Sequence, residues 1–138
     1  MTFQFTSQYQ RKMLYRFGQN AIRQARETSE NTVDDLLQMG MRYAKARAPY
    51  YTGKTAKLIR TRRVSSEDGA SGVIISPNPT PEKRFNGEVF DLVRWMHTSP
   101  QAKYHIKSGH RQYMYLTADY LRQKGASVVN NNFKKIFI

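Results

Sequence analysis

The step Ala48-Pro49 divides this chain into a half that repeats at the helical period and a half that is cut up by turns. Proline has no amide proton to give a helix and pushes the residue before it out of the α region, so a helix arriving at Ala48 must stop. Tyr50-Tyr51-Thr52-Gly53 then reads as a turn, with a glycine free to take positive φ. The hinge is also the most charged part of the chain. Arg47 stands upstream, Lys54, Lys57, Arg60, Arg62 and Arg63 follow, and no acid appears before Glu67.

Upstream of the hinge, Phe3 and Phe5 alternate with polar residues, so residues 1–7 read as a short strand or an arm that needs something to pack on. From Ser7 or Gln8 the apolar residues Met13, Leu14, Phe17, Ala21, Ile22 and Ala25 recur at helical steps. Gly18 interrupts that pattern. Ser29 or Asn31 is a candidate N-cap for a second helix, with Glu30, Asp34 and Asp35 in its first turn and Arg42, Lys45 and Arg47 in its last, each sign at its favourable end of the dipole. Either one helix runs from 8 to 47, or two meet near 27–30.

Downstream, residues 55–59 suit one helical turn. Residues 60–77 read as a hairpin of unequal arms about the turn cluster Glu67-Asp68-Gly69. Pro77, Pro79 and Pro81 stiffen an exposed loop over 77–87. Residues 88–96 place Val89, Leu92, Val93 and Met96 on one helical face, with a strand as the alternative; 102–107 suit a strand. Residues 111–124 read as a helix ending at Gly125, and 126–138 as a C-terminal arm, a turn of three asparagines followed by an aromatic, basic strand.

The length of 138 residues and the 17 aromatics (one Trp, nine Tyr, seven Phe) fit one folded domain with extended arms. The absence of cysteine excludes disulfides and thiolate metal sites. No apolar run approaches the roughly 18 residues of a membrane span, and no continuous apolar stretch follows Met1 as in a secretory leader, so the expectation is a soluble protein acting where it is made. A formal charge of +13 directs the chain toward nucleic acid, an anionic membrane or acidic protein.

Enzyme signatures are weak. His97, His105 and His110 match neither an HExxH helix nor the spacing of a zinc finger, and the adjacent pairs Asp34-Asp35 and Glu67-Asp68 suit a helix start and a hairpin tip. There is no phosphate-cradling loop or nucleophile elbow. The expectation is a protein without catalytic residues, cofactor or metal. A small nuclease centred on His105 or His110 is a minor alternative. From Arg42 to Arg63 there are eight Lys or Arg and no acid in 22 residues, either a solvated helix end and strand face or a surface that meets phosphate or acidic protein. A proline-glycine hinge followed by strands is the wrong shape for a helix-turn-helix.

An amphipathic helix ending in Ala48-Pro49, two residues, Thr52-Gly53 and then KTAKLI leading into a basic strand resembles the AP-x-x-TG-x-L signature of the HK97 gp10-like family of tailed-phage tail-completion, neck and minor tail components. The aromatic segments 89–99 and 110–121 stand where that family has two further landmarks, although Met96-His97-Thr98-Ser99 lacks the family's glutamate and glycine. The resemblance spans roughly residues 30 to 123. It implies an α+β fold, a long helix on a small antiparallel sheet. It also implies a non-enzymatic virion protein, made in the host cytoplasm, that forms a ring, six-fold by this expectation, between connector and tail tube. Lys54, Lys57, Arg60, Arg62 and Arg63 would then meet a neighbouring protein or the DNA in the lumen. Phe3, Phe5, Phe133, Ile136 and Phe137 would be the apolar arms that join subunits. A freestanding nucleic-acid-binding protein using the same basic patch is the rival from another class.

Overall fold

A computed structural model describes residues 1–8, 18–50, 54–106 and 108–135, the side chains of residues 7 and 8 excepted. The chain is α+β. In order it forms β1 (Thr2–Gln8), α1 (Gly18–Arg47), α2 (Lys54–Leu58), β2 (Arg60–Ser66), β3 (Gly69–Ile75), β4 (Arg84–Phe85), β5 (Glu88–Val89), α3 (Leu92–Thr98), a 3-10 turn (Pro100–Tyr104) and α4 (Tyr113–Lys134).

The long helix is unbroken where a break near 27–30 stood as one of two expectations. Its buried residues, Ile22, Ala25, Ser29, Thr32, Val33, Leu36, Leu37, Gly40 and Ala44, keep the three- and four-residue step straight through the weak helix formers of residues 28–32. Ser29 and Thr32 are fully buried. Thr32 satisfies its hydroxyl by donating to the Thr28 carbonyl at 2.6 Å and accepting from Asn132 Nδ2 at 3.0 Å. Tertiary packing therefore outweighs a local preference worth only tenths of a kcal/mol per residue. The helix stops where Pro49 requires, with Ala48 N–H donating to Ala44 O at 2.8 Å. Residues 9–17, where the expected pattern began, lie outside the described residues.

The main sheet has the order β1-β3-β2, all antiparallel. The hairpin β2–β3 joins two strands of seven residues each, equal arms where unequal ones were expected. The N-terminal segment is not a free arm. It pairs with β3 along its length, Thr2 opposite Ile75 to Gln8 opposite Gly69, and its alternation turns Phe3 and Phe5 toward α1 to pack on the core. The central strand has two edges, and β1 covers the one the hairpin leaves open.

The helix α4 runs antiparallel to α1. Tyr43 stacks on Tyr120 with centroids 4.2 Å apart, and Asn132 Nδ2 reaches Asp35 at 3.0 Å. The tightest point is Gly40, where an added Cβ would run into Ile74 of β3 and come within 2.9 Å of Leu121 of α4. Two further expectations are corrected along this face. Gly125 does not end the helix; it is buried within α4 beside Leu36, where an added Cβ would make an ordinary contact at 3.6 Å. The asparagine run is helical, so the C-terminal arm expected over 126–138 is helix through Lys134, with Phe133 half-buried.

The strand expected over 102–107 is absent from residues 102–106, since Pro100 starts a 3-10 turn that buries Ala102; Lys107 lies outside the described residues. The stretch 88–96 is strand and then helix, with Asp91 as N-cap accepting from Arg94 N–H at 3.1 Å. The proline-rich loop ends in a small hairpin, β4–β5, turned by Asn86 and Gly87 at φ 51 and 82, a pair of positive values suited to a type I′ turn. Asn78 holds its base, donating to Phe90 O at 2.8 Å while its Oδ1 accepts from Leu92 N–H at 3.3 Å.

Candidate functional site

The cationic tract is built by the helix stop. Arg42, Lys45 and Arg47 are exposed at the end of α1, and the Arg47 guanidinium lies 3.7 Å above the Tyr43 ring. Its carbonyl accepts from His110 N–H at 2.7 Å, so the loop before α4 closes the helix end. That loop turns at Gly109, φ 81, where a Cβ would sit 2.7 Å from both the Arg47 and Ala48 oxygens. Ala48 and Pro49 are buried parts of this closure. Thr52 and Gly53, the other half of the motif, lie outside the described residues.

The short helix α2 is anchored by Thr55 and followed by buried Ile59, each 3% exposed, and it turns Lys54 and Lys57 to solvent. The five expected contact residues then divide. Arg63 faces α1 and is taken up within the chain, its Nη1 2.6 Å from Asp34 Oδ2 and its Nη2 3.9 Å from Glu30. Lys54, Lys57, Arg60 and Arg62 are exposed and, among the described residues, paired with no carboxylate. Strand alternation decides this division, because Arg60 and Arg62 project from one face of β2 and Arg63 from the other. Leu58, 41% exposed, and Val64, 50% exposed, sit among the free cations.

Of the expected apolar arms, Phe3, Phe5 and Phe133 are partly buried within the subunit, while Ile136 and Phe137 lie outside the described residues. Exposed aromatic rings lie elsewhere, at Phe85 on the β4–β5 hairpin, 68% exposed, and at Tyr104, 76% exposed. Half-buried Phe90 and Trp95 and exposed His105 form a row with ring centroids 6.0 and 5.6 Å apart. Only the Asn-Gly pair in the sequence could have marked that hairpin.

His97 is the most constrained titratable group. It is 1% exposed. Its Nδ1–H donates to Val93 O at 2.7 Å, and Nε2 accepts from Met114 N–H at 3.0 Å, so the neutral imidazole caps the first turn of α4. Burial holds its pKa below the ordinary value. The N-terminal amino group and Arg111 push the same way, against the Val93 carbonyl and Asp91. Beside it the Tyr113 hydroxyl bonds Ser76 Oγ, and burial pushes its pKa up to about 12. Arg111 closes the end of α3 by donating to the carbonyls of Met96, His97 and Ser99. Both ring nitrogens of His97 are thus committed to backbone. His110 Nδ1 accepts from Gln112 N–H, and His105 packs on Trp95. Among the described residues no three His, Cys, Asp or Glu side chains come together as a metal site would require.

Comparison with family models, with curated proteins and with solved structures finds no match in any of the three. The arrangement defines a charged surface on a small α+β domain.

Proposed function

We propose that this is a structural virion protein of a tailed bacteriophage, of the tail-completion or neck type, whose copies form a ring between connector and tail tube. The observation that carries the reading is the pair of open sheet edges. Among the described residues, β1 and β2 each pair on one side only, which leaves two rows of backbone donors and acceptors ready for another strand.

The charges favour one pairing of edges. β2 carries Arg60 and Arg62, paired with no carboxylate among the described residues, so two copies of β2 set side by side would repel. β1, TFQFTSQ, is uncharged and fits beside it. Pairing unlike edges is a heterologous contact, which closes into a ring or runs on as a filament. The helix stop at Ala48-Pro49, with the basic strand after it, is the sequence feature that agrees with this placement.

Light scattering behind size exclusion tests the reading, with the protein alone and mixed with tail-tube protein. A closed oligomer, or a stoichiometric complex with the tube, is expected. A single subunit at every concentration, with no complex, would sink it. Should that subunit bind duplex DNA, a freestanding nucleic-acid-binding protein replaces the ring.

A further inference from the structure

The inner face of the main sheet lies on α1, but no described helix or strand lies over its outer face. The register shows what that face presents. Thr2, Ile75 and Arg60 form one row across the sheet, Gln4, Val73 and Arg62 the next, and Thr6, Ser71 and Val64 the third, with Val73 buried between its exposed neighbours Gln4 and Arg62. The polar groups in these rows are hydroxyls, an amide and guanidiniums; there is no carboxylate. Lys57 and Lys54 on α2 lead directly into Arg60.

We propose that this outer sheet face, with α2 at its margin, binds the phosphate backbone of duplex DNA without reading its sequence. The inference rests on the reading above only in taking the cationic tract as partner-facing, and it does not require the ring. The ladder holds the Arg60 and Arg62 backbones about 6.7 Å apart along the strand, on one side. Among the described residues, neither is held by a carboxylate that it must leave to engage a new anion. Threonine, serine and glutamine beside arginine are the side chains that make phosphate contacts.

Two absences from these rows select among polyanions. Protein interfaces centre on aromatic and arginine anchors in a dry apolar core, and these rows hold arginines but no aromatic ring. Single strands are gripped by bases stacked on aromatic rings, which are absent from the same rows. A donor-rich, acid-free face without rings is left with the regular phosphates of a duplex. Arg63 has no part in it, since it points to α1 and is held by Asp34.

The test is fluorescence anisotropy of a labelled duplex of arbitrary sequence between 50 and 200 mM salt. Four cations on phosphate give a slope of log K against log salt of about −3.6, a loss on the order of a hundredfold across that range. Arg60→Gln with Arg62→Gln should halve the slope, to about −1.8, and so should Lys54→Gln with Lys57→Gln. Arg63→Gln and a scrambled duplex should each leave affinity within about twofold of wild type on its own duplex. An unchanged slope in both double variants would overturn the proposal, as would tighter binding to single strands or equal binding to polyglutamate. Light scattering on the same samples keeps the two readings apart. A DNA-binding monomer sinks the ring alone, and a ring indifferent to DNA sinks this inference alone.

Discussion

A neutral imidazole sits where helices usually begin on serine or aspartate. His97 can serve because Val93 O takes the proton on Nδ1 and leaves Nε2 as an acceptor for Met114 N–H. A second proton on the ring would set one donor against another in a site closed to water. Below about 6.5 the unfolded chain takes up a proton that the native ring resists, so unfolding binds protons there and stability falls as pH falls. Above that value both states are neutral and the contribution is constant. Urea midpoints measured from pH 8 down to 5 should decline below about 6.5 in the wild type, and His97→Gln should remove that part of the decline. His97→Ala is expected to cost about 2–4 kcal/mol at pH 8, from the vacated volume and the orphaned Met114 amide. Arg63→Ala, which removes only a half-exposed pair with Asp34, should cost no more than about 1 kcal/mol, read from the same denaturation curves.

Among elements, the meeting of α1, β3 and α4 at Gly40 sets the tolerance of the fold. Gly40→Ala should destabilise by about 1–3 kcal/mol through overpacking, despite alanine's better helix propensity. Because the group it strikes is the terminal methyl of Ile74, Ile74→Val should recover part of that cost, a coupling that a double-mutant cycle would measure. The last turns of α4 are a second contact of this kind. Val128 and Val129 pack on the core, and Asn132 ties to Thr32 and Asp35. A chain ended after Gly125 should therefore lose about 2–4 kcal/mol by thermal denaturation.

For the whole molecule, the sheet edges and the net charge govern association. If unlike edges join, a positive charge on β1 would face the arginines of the neighbour's β2. Gln4→Lys with Thr6→Lys should then shift the oligomer toward single subunits by light scattering. Both positions are exposed, so subunit stability should change by less than about 0.5 kcal/mol. The charge of +13 also makes any polyanion contact steeply dependent on salt.

Local sequence was enough for whatever depends on a few neighbouring residues. Pro49 stops α1 by its own covalent geometry, the Glu67-Asp68-Gly69 turn sets β2 against β3, and the helical step of Val33, Leu36, Leu37, Gly40 and Ala44 marks the buried face of α1. The cationic tract was legible too, since an acid-free run is visible without coordinates. Tertiary structure alone decided what depends on residues far apart. Asn132 stands beside Thr32, Phe5 lies against Gly72, and Arg63 turns away from Arg62 to meet Asp34. The physical reason is one of size. Local preferences differ by tenths of a kcal/mol per residue, while burying a side chain or a polar pair is worth one to several. Weak helix formers at 28–32 and Gly125 could therefore be carried inside helices once α1, α4 and the sheet had closed on one another.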